Sequence, residues 1–174
     1  MVVREAGILF RGFTLVKKSY HKSTKGRIDN DLRSGLLTAI LNFAQSAFSK
    51  DVVEYFEGKK YLIAFKEDEI VAKNSIEPEL LISYAILDKE KKVEKYIRKI
   101  IQPLLDAVTY QFKSLNTGKN LSEVSQFKDF KPFLDRIFGT DTQTIDQKLR
   151  RIFDDDSDDD DSNDDDSDND EITI

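Results

Sequence analysis

The sequence predicts an α+β domain with a five-stranded antiparallel sheet flanked by helices, followed by a disordered acidic tail. Short runs of alternating apolar residues cluster before and after a single helical segment, in the order β-β-α-β-β-β-α-α. Strands grouped in this way do not form serial βαβ units, which favours antiparallel pairing. The last 21 residues, 154–174, are dominated by aspartate and hold too few apolar side chains to form a core.

The first element is predicted to be a β-hairpin over residues 6–20. Apolar residues alternate on both sides of Arg11-Gly12, and Gly12 can adopt the positive φ of a tight turn.

A helix is predicted to follow from about residue 29, because Asp29-Asn30-Asp31 can cap free N–H groups and suits the positive end of a helix dipole. Its buried stripe recurs at three- and four-residue steps: Leu32, Leu36, Ile40, Phe43, Ala44 and Ala47.

Three strands are predicted next. Residues 52–56 and 60–66 form a hairpin around the turn 57–59, and residues 80–87 are apolar on both faces, as in a central strand covered by helices on each side. The carboxylates of residues 67–69 are interpreted as a solvated turn.

The second long helix is predicted over residues 90–115, with a kink or break near Ile101 caused by Pro103. Residues 116–118 (Asn-Thr-Gly) end it. The Gly118-Lys119 pair does not fit a phosphate-binding loop, which needs a glycine at 113 and Ser or Thr at 120 after a strand.

The remaining helices are predicted at 122–138, divided by Pro132, and at 144–153. This gives three parts: a domain at 1–117, a helical extension at 118–153 and the acidic tail at 154–174.

Charge separates the tail from the rest of the chain. Residues 1–153 contain 20 acids and all 27 Lys and Arg, a net charge of +7, whereas residues 154–171 contain twelve Asp and one Glu. The sequence pI of about 5.0 therefore describes the tail more than the domain.

The composition excludes several kinds of site. There is no cysteine, which removes thiol nucleophiles and cysteine-ligated metals, and His21 is the only histidine. A solvated strand-end residue is the favoured interpretation of His21 over a catalytic base. No long apolar segment is present, so we expect a cytoplasmic chain with no metal, cofactor or enzymatic activity.

Three segments carry a resemblance to a known family. Ile28-Asp29-Asn30-Asp31-Leu32-Arg33-Ser34-Gly35 continues as Leu36-Leu37-Thr38-Ala39-Ile40-Leu41-Asn42-Phe43-Ala44, and the hairpins at 12–15 and 58–65 flank it. This pattern resembles archaeal longin-like domains of the longin/roadblock superfamily, over about residues 7–115.

The resemblance implies a longin/profilin-like fold and a non-enzymatic binding module. It implies a small GTPase or a longin/roadblock-type protein as partner, in a trafficking-type or regulatory complex, with a possible homo- or heterodimer. It implies no active-site residue. We expect no nucleic acid partner and at most peripheral membrane contact.

Two candidate partner-binding surfaces follow from residue patterns. The first is the basic helix face carrying Lys91, Lys95 and Arg98, which fits an anionic lipid, an acidic partner, phosphate, the tail itself, or simply a solvated face. The second is the aromatic run Phe127, Phe130 and Phe133, for which core packing is the alternative.

The tail has two interpretations. It is either a solubilising segment or the binding element of a chaperone or competitor for basic proteins. Deletion of residues 154–174 distinguishes that second function from a partner-binding domain.

Overall fold

The computed structural model describes residues 2–20, 35, 37–40, 42, 54–73, 75–89 and 93–139. Its centre is a five-stranded sheet with the order β2-β1-β5-β4-β3. The strands are β1 (Val3–Phe10), β2 (Phe13–Ser19), β3 (Tyr55–Glu57), β4 (Tyr61–Ile70) and β5 (Glu79–Asp88). Every neighbouring pair is antiparallel, and helices pack on the sheet. The α+β class with a five-stranded antiparallel sheet is confirmed.

The hairpin of β1 and β2 closes through a two-residue loop. Phe10 pairs with Phe13, and the loop residues Arg11 and Gly12 have φ of 50° and 80°. Two positive φ values define a type I′ turn, whose twist matches that of the flanking strands. The expected positive φ at Gly12 is confirmed.

β5 is the central strand, between β1 and β4, as predicted. Ile82 and Tyr84 belong to a cluster on one face that includes Leu37. On the other face Ser83 Oγ lies 2.5 Å from Thr109 Oγ1 of the long helix. The strand is therefore covered on both faces, which explains why its sequence does not alternate.

Only part of the first predicted helix falls within the described residues. Gly35, residues 37–40 and Asn42 are helical, and Leu37 is buried. The predicted capping residues 29–31 lie outside the described residues.

The prediction of a turn at residues 67–69 is wrong, because β4 continues through these carboxylates to Ile70. Two ion pairs to the long helix explain the extension: Lys113 Nζ lies 2.7 Å from Asp68 Oδ1, and Lys66 Nζ lies 2.6 Å from Asp106 Oδ1. Acidic residues have a low intrinsic preference for strands, but these ion pairs with the long helix offset that low preference.

The long helix, residues 93–116, contains a change of hydrogen-bond pattern before its proline. It consists of α1 (Val93–Tyr96), a π-helical stretch (Ile97–Ile101) and α2 (Gln102–Asn116). The Gln102 N–H donates to the Ile97 carbonyl, five residues back. Pro103 has no N–H to donate and its ring would clash with an α-helical carbonyl, so the wider turn accommodates it. The predicted irregularity near Ile101 is confirmed.

The helix stop predicted at residues 116–118 is also confirmed. The Thr117 N–H donates to the Lys113 carbonyl at 2.9 Å, and Gly118 has a φ of 78°.

Two short helices follow, a 3₁₀ helix (Val124–Phe130) and α3 (Lys131–Phe138). Pro132 lies in the first turn of α3, where its missing N–H costs no bond, so the predicted division is confirmed. The ring of Phe112, in α2, lies 5.3 Å from Phe127 and 5.2 Å from Phe130 between centroids. The described part of the predicted extension thus shares the core of the sheet domain.

The chain divides into two compact units, Met1–Gln143 and Thr144–Ile174. The second unit, with the predicted helix at 144–153 and the acidic tail, lies outside the described residues. In the described part of the chain, every helix is too short or too polar to traverse a lipid bilayer.

Candidate partner-binding groove

A groove runs beside β2, between this edge strand and the 3₁₀ helix. It encloses about 380 Å³. From the strand it is lined by Thr14, Leu15, Val16 and Lys17, and from the helical side by Val124, Ser125, Lys128 and Lys131. We call this feature the β2 groove.

Contacts at the far end of β2 fix the position of α3. Lys18 Nζ lies 2.7 Å from Asp135 Oδ2, and the Tyr20 hydroxyl donates to the Leu134 carbonyl at 2.6 Å. Lys131 precedes Asp135 by about one helical turn, or roughly 6 Å. The chain immediately before Lys131 is the 3₁₀ helix, which forms the rest of the helical side of the groove.

Tyr20 anchors this arrangement. Burial raises the pKa of its hydroxyl above the ordinary tyrosine value, and the nearby charge of Asp135 acts in the same direction. The hydroxyl therefore stays protonated and keeps its hydrogen bond to α3 throughout the neutral range.

The β2 strand is irregular along the groove. Ile8 pairs with Val16 but Leu9 pairs with Thr14, so Leu15 is the additional residue of a β-bulge. Bulges are common at sheet edges, where they interrupt the hydrogen-bond ladder and limit pairing with another chain.

Among the described residues that line the groove, all three charged ones are lysines. Lys17 Nζ is 3.8 Å from the buried Glu5 carboxylate, which also accepts hydrogen bonds from Ser19 and Tyr84. Lys128 and Lys131 are exposed, and neither forms an ion pair with another of the described residues. The helical wall of the groove therefore carries two positive charges that have no ion-pair partner among the described residues.

The aromatic candidates occupy the core rather than the groove. Phe127 and Phe130 are buried and contact Phe112, which agrees with the alternative that they pack in the core. Phe133 is half-buried and lies under the Arg136 guanidinium, which is 4.9 Å from its ring centroid.

Two of the three basic-face candidates, Lys95 and Arg98, lie on the long helix and do not line the groove. Lys95 and Arg98 are exposed, and Lys91 lies outside the described residues. Arg98 is 3.5 Å from Glu54 and 3.4 Å from Glu94, so its charge is partly offset.

Sequence reasoning did not identify the lysines of the β2 groove. Lys128 and Lys131 are three residues apart, a spacing that puts side chains on one side of a helix, and they lie at the junction of the 3₁₀ helix and α3. Periodicity alone could not show that this side faces β2, because that depends on tertiary packing.

No group of three or more His, Cys, Asp or Glu side chains with a geometry suited to a metal ion occurs among the residues the structure describes. The groove offers lysine amines, a serine hydroxyl and apolar side chains. These groups suit recognition of a charged, extended ligand.

No protein-family model matches the chain, and no curated protein is significantly similar to it. The resemblance to longin domains stays a prediction from the residues.

Proposed function

We propose that the protein is a non-enzymatic interaction module that binds its partner through the β2 groove. The observation that carries the proposal is an open groove beside an edge strand, whose lining among the described residues has three lysines and no acidic residue. Edge strands and the grooves beside them are recurrent sites for extended segments of partner proteins.

The β2 groove is a better candidate than either surface chosen from sequence. Phe127 and Phe130 are buried, and Arg98 already contacts two glutamates. The opposite edge strand, β3, has only three residues and offers little length for a partner segment.

We propose a small GTPase or another longin/roadblock-type subunit as the partner, in a trafficking-type or regulatory complex. The support is the longin-like sequence pattern together with the α+β architecture and its five-stranded antiparallel sheet. A cytoplasmic location and a homo- or heterodimer belong to the same proposal.

The test is capture of candidate small GTPases, loaded with GDP or a GTP analogue, and of candidate longin/roadblock subunits, on immobilised full-length protein. The double variant Lys128→Glu/Lys131→Glu should lose capture. The matched control, Lys59→Glu/Lys60→Glu, reverses two exposed lysines between β3 and β4 and should retain it. Equal capture by both variants would exclude the groove as the binding surface.

A second candidate function rests on the density of acids at the C-terminus, twelve Asp and one Glu in residues 154–171 without a cation. This composition supports a chaperone or competitor for basic proteins. Deletion of residues 154–174 separates the two proposals. Loss of binding to a basic protein supports this second function, whereas unchanged GTPase or subunit capture supports the first.

A further inference from the structure

We infer that the β2 groove selects an extended peptide segment that combines an apolar residue with a run of acidic residues. The inference rests on the proposed function and specifies the chemistry of the partner's contacting segment. It follows from three features of the groove: the positive charges on its helical side, the exposed apolar side chain of Val124, and the bulge in its strand.

Charge sets the acidic preference. Lys17, Lys128 and Lys131 line the groove. No carboxylate among the described residues lines the groove with them. A ligand with carboxylates in the groove would gain attraction from several lysines at once, and salt would screen it.

Exposed apolar side chains lie in the groove and next to one of its lining residues. Val124 lines the groove and is 43% exposed. Phe13, the residue before Thr14 in β2, is 64% exposed. Covering these side chains with an apolar residue of the ligand removes their surface from water, which favours binding.

The bulge explains why side chains, rather than a long ladder, would decide specificity. Leu15 interrupts the regular pairing pattern halfway along the lined part of β2. An added strand could pair regularly over only a few residues on either side. The remaining binding energy must come from the charged and apolar contacts.

The direct probe is a fluorescein-labelled decapeptide with two leucines followed by four aspartates, titrated against full-length protein by fluorescence anisotropy. A second probe with the reversed order covers both strand directions. Two control peptides replace the aspartates by lysines, or the leucines by serines.

We expect one of the two acidic–apolar probes to bind, and its affinity to fall at least about ten-fold between 50 mM and 500 mM NaCl. Each control peptide should bind at least about five-fold more weakly than that probe. The lysine peptide tests the charge requirement and the serine peptide tests the apolar one.

Variants of the protein locate the site. Lys128→Glu/Lys131→Glu should weaken binding by about ten-fold or more, because two attractions become repulsions. Lys59→Glu/Lys60→Glu should leave it unchanged. Val124→Asp should weaken it, whereas Val71→Asp, at an exposed valine that does not line the groove, should not. Thermal unfolding of each variant confirms that it is folded.

Failure of the inference differs from failure of the proposed function. If neither probe binds, but capture of the partner still depends on Lys128 and Lys131, the inferred acidic–apolar specificity is wrong. The groove is then still supported as the partner-binding surface. If the probes bind equally to the groove variant and to wild type, the site is elsewhere and the inference is overturned. If partner capture is also unchanged by Lys128→Glu/Lys131→Glu, both the inference and the proposed binding surface are wrong.

Discussion

The two edges of the sheet differ in length and in the balance of their charges. β2 has seven residues, a bulge and a flanking groove lined by lysines. β3 has three residues, and two ion pairs lie near it. Lys89 Nζ lies 2.5 Å from Glu57 Oε1, and Arg98 lies 3.5 Å from Glu54.

The comparison shows that a high density of basic residues in the sequence does not mean that their charges lack acidic partners in the structure. The long helix has the denser run of basic residues, but its Arg98 faces two glutamates. Lys128 and Lys131 have no acidic neighbour among the described residues that line the groove. The feature that distinguishes the β2 edge is the groove beside it, with these two exposed lysines on its helical side.

The largest expected effect concerns the wall of the β2 groove. Phe127 is 2% exposed and packs against Phe112. Phe127→Ala should lower the free energy of unfolding by about 3–4 kcal/mol, because it leaves a cavity under the 3₁₀ helix. Urea unfolding measures this. Phe133→Ala, at a half-buried ring, should cost about 1 kcal/mol. Equal losses would mean that the 3₁₀ helix is not part of the core.

The next effect concerns the attachment of α3 to β2. Tyr20→Phe removes the hydroxyl that donates to the Leu134 carbonyl. We expect a loss of about 1 kcal/mol in the free energy of unfolding, the usual net value of one such bond. Tyr110→Phe provides the control, because Tyr110 is 70% exposed on the long helix. Identical stabilities of the two variants would contradict the role of Tyr20 as an anchor.

The smallest effect is a pH dependence on the β4 side of the sheet. Burial of Asp68 tends to raise its pKa, but the hydrogen bond from Lys113, the Glu69 N–H and the charges of Lys113 and Lys66 together hold it below the ordinary aspartate value. The carboxylate therefore stabilises the fold above pH about 4, and this contribution is lost as pH falls through its lowered pKa.

Asp68→Asn should accordingly cost about 0.5 kcal/mol or less at pH 7, since the pair is partly exposed, and nothing at pH 2. Urea unfolding of wild type and variant across pH 2–7 measures the difference. A difference that grows toward low pH would show that the assigned direction of the pKa shift is wrong.

Much of the fold follows from local rules in the sequence. The Arg11-Gly12 turn, the irregularity before Pro103 and the boundary at Pro132 each depend on one residue's backbone chemistry, and each is confirmed. The central position of β5 follows from its apolar character on both faces.

The errors and omissions involve contacts between distant segments. Residues 67–69 belong to β4 because Asp68 forms an ion pair with Lys113 of the long helix, 45 residues away in sequence. The β2 groove depends on packing of residues 124–131 beside residues 14–17. Neither the ion pair nor this packing produces a periodic pattern in the neighbouring sequence. Sequence patterns therefore could not predict them.

The central claim is that partner binding depends on the charge of the β2 edge and not on that of the β3 edge. The most direct measurement is the dissociation constant of a captured partner for three full-length proteins: wild type, Lys128→Glu/Lys131→Glu and Lys59→Glu/Lys60→Glu. The account predicts about ten-fold weaker binding for the first double variant and an unchanged constant for the second. Equal weakening in both, or weakening only in the second, would contradict it.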